Sequence, residues 1–148
     1  MSIELKNVSY IYAEKTQSQV KALSDVSLKI ENGEFIGLAG ETGCGKSTLI
    51  QLIAGLLTPS MGQVIIDGHD INSTDYDRTI LRNTVGIVFQ NPEYQLFETT
   101  VERDVAFVLK HKGLSKEEIA QRVKWALEAT GFDYEQIRKK SPLALSGG

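Results

Sequence analysis

One run of residues, Gly40-Glu41-Thr42-Gly43-Cys44-Gly45-Lys46-Ser47, limits what the rest of the chain can be. It reads G-x-x-x-x-G-K-S. An apolar, strand-like run, Phe35-Ile36-Gly37-Leu38-Ala39, leads in, and a helix-like run, Ser47-Thr48-Leu49-Ile50-Gln51-Leu52-Ile53-Ala54, leads out. Strand, glycine-rich turn and helix in that order are the setting of a phosphate-binding loop. Glycines let the backbone curl until successive N–H groups face one centre, which a Cβ obstructs. The following helix adds its unpaired first-turn N–H groups and the positive end of its dipole. In such a loop the Lys46 amine reaches the β and γ phosphates, and the Ser47 hydroxyl holds Mg²⁺. Residues 40–48, through Thr48 on the helix, form the expected nucleotide-contact set. Cys44 is either a small side chain in the nest or a thiol that bound nucleotide shields. The competing reading is a glycine-rich turn with an incidental lysine.

The totals narrow the classes. A chain of 148 residues, 41% hydrophobic and 24% charged, has the make-up of one soluble globular domain. A net charge of -3 and a pI near 5.4 give no electrostatic reason to expect nucleic acid as a partner. No apolar run approaches the roughly 20 residues that span a bilayer, and the N-terminus has no signal-peptide pattern. One cysteine forms no internal disulfide. These features lead to the expectation of a cytoplasmic protein.

Ahead of the loop, Ile3, Leu5 and Val8, then Val26, Leu28 and Ile30, predict two strands joined by a polar loop at 13–19. Tyr10 and Tyr12 share a strand face. A strand-end aromatic can stack on a purine base, although from spacing alone both tyrosines simply packing on the sheet is the plainer reading. After the loop, Leu49, Leu52, Ile53 and Leu56 fall at i, i+3, i+4 and i+7, with Ile50 and Leu57 widening the stripe. This predicts a helix buried on most sides and ended near Leu57 by Pro59. Gly62 opens a strand at 63–66, closed by an Asp67-Gly68 turn, and His69 is read as a solvated residue. A short helix at 75–81 and a buried strand at 85–89 follow.

That strand delivers Gln90 to the carboxyl end of a core sheet, where ligands of open α/β sheets bind, so Gln90 is a candidate for touching the metal or an attacking water. Leu96 and Phe97 are apolar residues in a loop; they either pack beneath it or meet a partner. Thr99 with Glu102 and Ser115 with Glu118 are spaced as capping boxes. The first helix carries Val101, Val105, Val108 and Leu109 on one stripe, the second Ile119, Val123, Ala126 and Leu127, with Gly131 as its stop. Trp125 lies off that stripe, either on a second packing surface or exposed. Lys110-His111-Lys112-Gly113 reads as a solvated charge cluster.

The loop, the strand ending in Gln90 and the closing Leu145-Ser146-Gly147-Gly148 together resemble the nucleotide-binding domain of ABC transporters over the whole chain. Gln90-Asn91-Pro92-Glu93-Tyr94-Gln95-Leu96-Phe97 further resembles ATPase subunits of energy-coupling factor transporters of the cobalt and vitamin uptake type. The resemblance implies an α/β fold with an incomplete RecA-like P-loop NTPase core, an N-terminal antiparallel β portion at 1–34, the P-loop core at 35–90, and a Q-loop and helical segment at 91–148. It implies that Tyr12 stacks on adenine, that Lys46 and Gln90 are catalytic, and that Ser47 and Gln90 contact Mg²⁺. ATP is then sandwiched in a head-to-tail homo- or heterodimer, with Ser146, Gly147 and Gly148 of the signature motif reaching the partner's γ-phosphate. Leu96 and Phe97 lie near the surface that meets a membrane-embedded subunit, and the chain sits peripherally on the inner face of the membrane.

The family continues past the signature motif with a Walker B Asp-Glu, a D-loop and a switch histidine. Hydrolysis in P-loop enzymes needs a carboxylate beside Mg²⁺ and a group that positions water. Residues 1–148 supply no counterpart, so the expectation is an N-terminal fragment of an importer ATPase that does not turn over by itself. Its alternative is a truncated, non-hydrolysing nucleotide-binding module. An unrelated P-loop kinase leaves Gln90 and the tail unexplained.

Overall fold

In a computed structural model, residues 1–14 and 16–145 are described; Ser146, Gly147 and Gly148 of the expected signature motif lie outside them. The chain divides into two compact units, Met1–Ile87 and Val88–Gly148. In the first, β1 (Ile3–Tyr12), β2 (Val20–Ile30), β3 (Met61–Ile66) and β4 (His69–Asp70) form an antiparallel sheet in the order β2-β1-β3-β4. Helices α1 (Lys46–Ile53) and α2 (Arg78–Thr84) complete the unit.

The two N-terminal strands form as expected, but not as a clean alternation. Leu5 and Val8 are both buried although three positions apart. The parity change falls between them, where the β1–β2 register shifts and Asn7 adopts φ 50°. Asp25 at φ 52° stands across from it, and its carboxylate accepts from Asn7 Nδ2 at 2.9 Å. A bulge of this kind leaves an extra residue unpaired and re-aims the next side chain. Both tails of the strand then face one core of Leu5, Val8, Leu23, Leu49, Leu52, Val64, Ile66, Ile71 and Leu81.

Three expectations in this unit need correction. Helix α1 stops at Ile53, well before Pro59. Gly55 takes φ 67°, and its N–H and that of Leu56 bond to the carbonyls of Leu52 and Gln51 at 3.0 and 2.9 Å. This is a Schellman stop, which glycine permits without steric cost. The helix accordingly buries Thr48, Leu49 and Leu52, while Ile50 and Leu56 stay exposed. Helix α2 starts three residues late, because Asp77 caps it by accepting from Thr79 N at 2.8 Å.

The third correction is larger. Neither 35–39 nor 85–89 is a strand, and Phe35 and Val88 are 99% and 84% exposed. Apolar runs of this kind belong to strands covered on both faces and paired on both edges. Among the described residues no strand pairs with either run, so neither has a ladder to join.

The second unit is helical: α3 (Val101–Ala106), α4 (Lys116–Ala129) and α5 (Tyr134–Ile137), with 3₁₀ turns at Pro92–Gln95, Val108–His111 and Pro142–Ala144. Its core gathers Val101, Ala106, Val123, Leu127 and Ile137. Val108, expected on the α3 stripe, is exposed in the 3₁₀ turn, and Trp125 is exposed on α4. The α3 cap is Thr100, not Thr99, its side chain accepting from Arg103 N. The third helical position is then Arg103, so no box forms. Glu102 instead accepts from the Tyr134 hydroxyl at 3.0 Å and from Arg138 Nη1 at 3.2 Å, tying α3 to α5.

The Ser115–Glu118 box on α4 is complete: Ser115 Oγ accepts from Glu118 N at 3.2 Å and Glu118 Oε2 accepts from Ser115 N at 2.8 Å. The helix closes at Gly131, whose N–H bonds to Glu128 O while that of Phe132 bonds to Leu127 O. Replacing Ser115 with alanine is expected to cost about 1 kcal/mol in chemical denaturation. The Ser115 N–H holds the Glu118 carboxyl below the ordinary carboxylate range. That contribution is present above the ordinary value and is lost as pH falls through the lowered one; alanine at 115 keeps the backbone N–H, so it is the wild-type advantage over Glu118→Ala that narrows on acidification.

Candidate phosphate-binding site

The first unit brings together Tyr12 and the whole 40–48 run. Gly45 is the N-cap of α1, at φ 95°. A Cβ on it would meet Ala22 O at 2.6 Å and a Leu23 methyl at 2.8 Å, so the loop lies directly against β2. Both the left-handed backbone and the close approach demand glycine here. The helix start has no side-chain cap and no acidic residue in its first turn. Its orphan N–H groups and dipole therefore face outward without an internal anion to satisfy them.

Lys46 is folded over this turn. Its amine donates to Gly40 O at 2.8 Å and to Glu41 O at 2.7 Å, and lies 3.6 Å from Cys44 Sγ. A compact ammonium on a flexible stem is thereby held at the loop by neutral carbonyls. A phosphate oxygen offers the same donors a charged acceptor, which makes a stronger bond. The arrangement fits a polyphosphate: a cation, uncapped N–H groups, and Ser47 exposed on the first turn. Cys44 is exposed in the loop. Among the described residues no group of three His, Cys, Asp or Glu side chains is placed to hold a metal ion.

Tyr12 stands beside the loop. Its hydroxyl is 3.1 Å from Thr48 Oγ1, and its ring meets that of Tyr10 edge to face with centroids 4.8 Å apart. Sequence spacing placed both tyrosines on one face; it carried no sign of the bond to Thr48, since the partners are 36 positions apart.

Gln90 belongs to the second unit, exposed in a bend rather than at a strand end, because no strand forms at 85–89. Leu96 there is half-buried, while Phe97 is 63% exposed and meets Phe107 edge to face at 4.7 Å. The first unit also holds a cleft of about 600 Å³ lined by Asp67, His69, Asp70, Asp75, Tyr76 and Asp77, with no residue of the 40–48 run. The 40–48 run presents its N–H groups on an open turn rather than in an enclosure. His69 is exposed, its Nδ1 3.0 Å from Asp67 O.

Comparison with known proteins places these features in a family. The chain is 53% identical over 148 residues to the energy-coupling factor transporter ATP-binding protein EcfA2 of Clostridium tetani, covering all of this chain and 51% of that protein. It is 50% identical to the protein of the same name from Clostridioides difficile, again covering all of this chain and 51% of the relative. The chain thus spans about half the length of the curated relatives it matches. Among solved structures, the dimeric post-hydrolysis ATP-binding cassette MJ0796 bound to ADP and Pi matches with a TM-score of 0.80 at 32% identity, over 98% of this chain and 63% of that one. The cbiO1 protein of Clostridium perfringens, part of the ABC transporter complex cbiONQ, matches with a TM-score of 0.79 at 36% identity, over 97% and 55% of the two chains. The α/β P-loop fold is therefore the fold of this chain. With the profile of the ABC transporter family matching residues 23–148, the chain belongs to that family.

Proposed function

We propose that this chain is the first part of the ATP-binding subunit of an energy-coupling factor type importer, and that residues 40–48 bind the triphosphate of Mg-ATP. The observation that carries this reading is the Lys46 amine held over an uncapped helix start. Lys46 holds the β and γ phosphates, Ser47 contributes its hydroxyl to Mg²⁺, and the half-exposed Tyr12 ring takes the adenine face. Mg²⁺ held there would supply positive charge against the phosphate oxygens. Gln90 acts at the metal or water, and Ser146, Gly147 and Gly148 contact the γ-phosphate of a second ATPase subunit. Phe97 and the loop before it meet a membrane-embedded subunit, which puts the protein on the inner face of the cell membrane; no helix among the described residues is long and apolar enough to cross it. The cargo class is a metal ion or vitamin, after the relatives' transporter type.

Residues 1–148 offer no counterpart to the Walker B carboxylates, so binding separates from turnover. Calorimetric titration of the 148-residue chain with Mg-ATP, with phosphate release followed in the same sample, is expected to show saturable binding and no steady release. Absent binding overturns the nucleotide reading. Steady release that disappears in Lys46→Ala overturns the division of labour, because a carboxylate within these residues then does the work.

A further inference from the structure

The Tyr12 side chain is fixed at two points although 40% of it remains exposed: its hydroxyl meets Thr48 Oγ1 at 3.1 Å and its ring edge meets Tyr10 at 82° between planes. The two anchors differ in firmness. Thr48 is only 6% exposed and sits in the first turn of α1, two residues after Lys46. As a buried, β-branched residue on a helix Thr48 has little room to turn about χ1, so its hydroxyl is the firmer anchor. Tyr12, at the end of β1, has a ring that without the hydroxyl bond turns about χ1 and χ2 against Tyr10 alone. The bond therefore ties an exposed aromatic face to the helix that starts at the phosphate loop.

We propose that Thr48 is a positioning residue for the base: through the Tyr12 hydroxyl it holds the Tyr12 ring as a preset stacking platform, so that the base subsite is built from the phosphate helix. The inference rests on the nucleotide-binding reading above and deepens it. A platform ordered before binding avoids the loss of side-chain freedom that stacking on a loose ring entails, a gain of about 3–10-fold in affinity. Stacking reads a π-face and not a base edge, so the gain is shared by adenine and guanine nucleotides. It is absent for a ligand with phosphates and no base.

Calorimetry on the 148-residue chain with Mg-ATP, Mg-GTP and Mg-tripolyphosphate tests this. Tyr12→Phe keeps the ring and removes the hydroxyl; it is expected to weaken ATP and GTP about 3–10-fold while tripolyphosphate binds as before. Thr48→Val is expected to lower the ratio of ATP to tripolyphosphate affinity by the same factor, whatever it does to phosphate binding itself. The double variant is expected to lower that ratio no further, because both changes remove one bond, and Thr48→Ser restores it. A bond that only stabilises the fold would lower the melting temperature and leave the ratio alone. An unchanged ratio in Tyr12→Phe, or losses that add in the double variant, overturns the proposal while tripolyphosphate binding keeps the phosphate site. If the unmodified chain binds neither ligand, the nucleotide reading falls and this inference with it.

Discussion

Lys46→Ala is expected to weaken Mg-ATP binding by about 10–100-fold, since one hydrogen bond to a charged group contributes roughly 1.5–3 kcal/mol. The amine already lies at the loop, 2.8 and 2.7 Å from the carbonyls of Gly40 and Glu41. Binding therefore requires exchange of two neutral acceptors for phosphate oxygens rather than recruitment of a distant side chain. The loss should be steeper for ATP than for AMP, because the lysine serves the β and γ positions and AMP has neither. Stability should change little, as the amine is on the exposed side of the loop and water replaces it at both carbonyls. Titrations of the two proteins with ATP and AMP, beside a thermal melt, separate these effects. Equal ATP affinity in the two proteins would remove the lysine from the phosphate site, and with it the reading of the glycine-rich run.

How much of this was legible in the sequence depended on the range of the interaction responsible. The phosphate loop was, because its demands are local: Gly45 at φ 95°, an uncapped turn and a lysine follow from adjacent letters. So was the box at Ser115 and Glu118, whose partners are three residues apart. The stop of α1 was missed for a local reason too. The apolar stripe continues through Leu56 and Leu57, and periodicity reads past Gly55, where the Schellman bonds end the helix. The Glu102 contacts to Tyr134 and Arg138, and the Tyr12 contact to Thr48, join residues 32 to 36 positions apart and left no periodic trace. The runs 35–39 and 85–89 show the reverse case. Their composition states what they are suited to bury, but a strand exists only with a neighbour, and a composition cannot supply one.

Leu52→Ala is expected to have the largest effect on folding, about 2–5 kcal/mol against a typical domain stability of about 5–15 kcal/mol. Leu52 is 0% exposed, in the core with Leu5, Val8 and Val64 from the sheet. Removing most of its side chain leaves a cavity where α1 meets that sheet. Ile50 is on the same helix and 46% exposed. Its replacement by alanine serves as the internal control, with an expected change within about 0.5 kcal/mol as for most surface sites. Urea denaturation should give a lower midpoint and an unchanged slope for Leu52→Ala, since the same surface is exposed on unfolding. The same helix carries the phosphate loop at its start, so the defect has a functional readout. Mg-ATP at 100 times its dissociation constant adds about 2.7 kcal/mol to any protein that binds it only when folded. Leu52→Ala should therefore regain much of its loss in saturating Mg-ATP, by the same increment as the unmodified chain if the loop survives intact. A smaller increment would mean that the cavity loosens the helix start as well as the core. Equal costs for Leu52→Ala and Ile50→Ala would mean that the buried face of α1 has been misplaced.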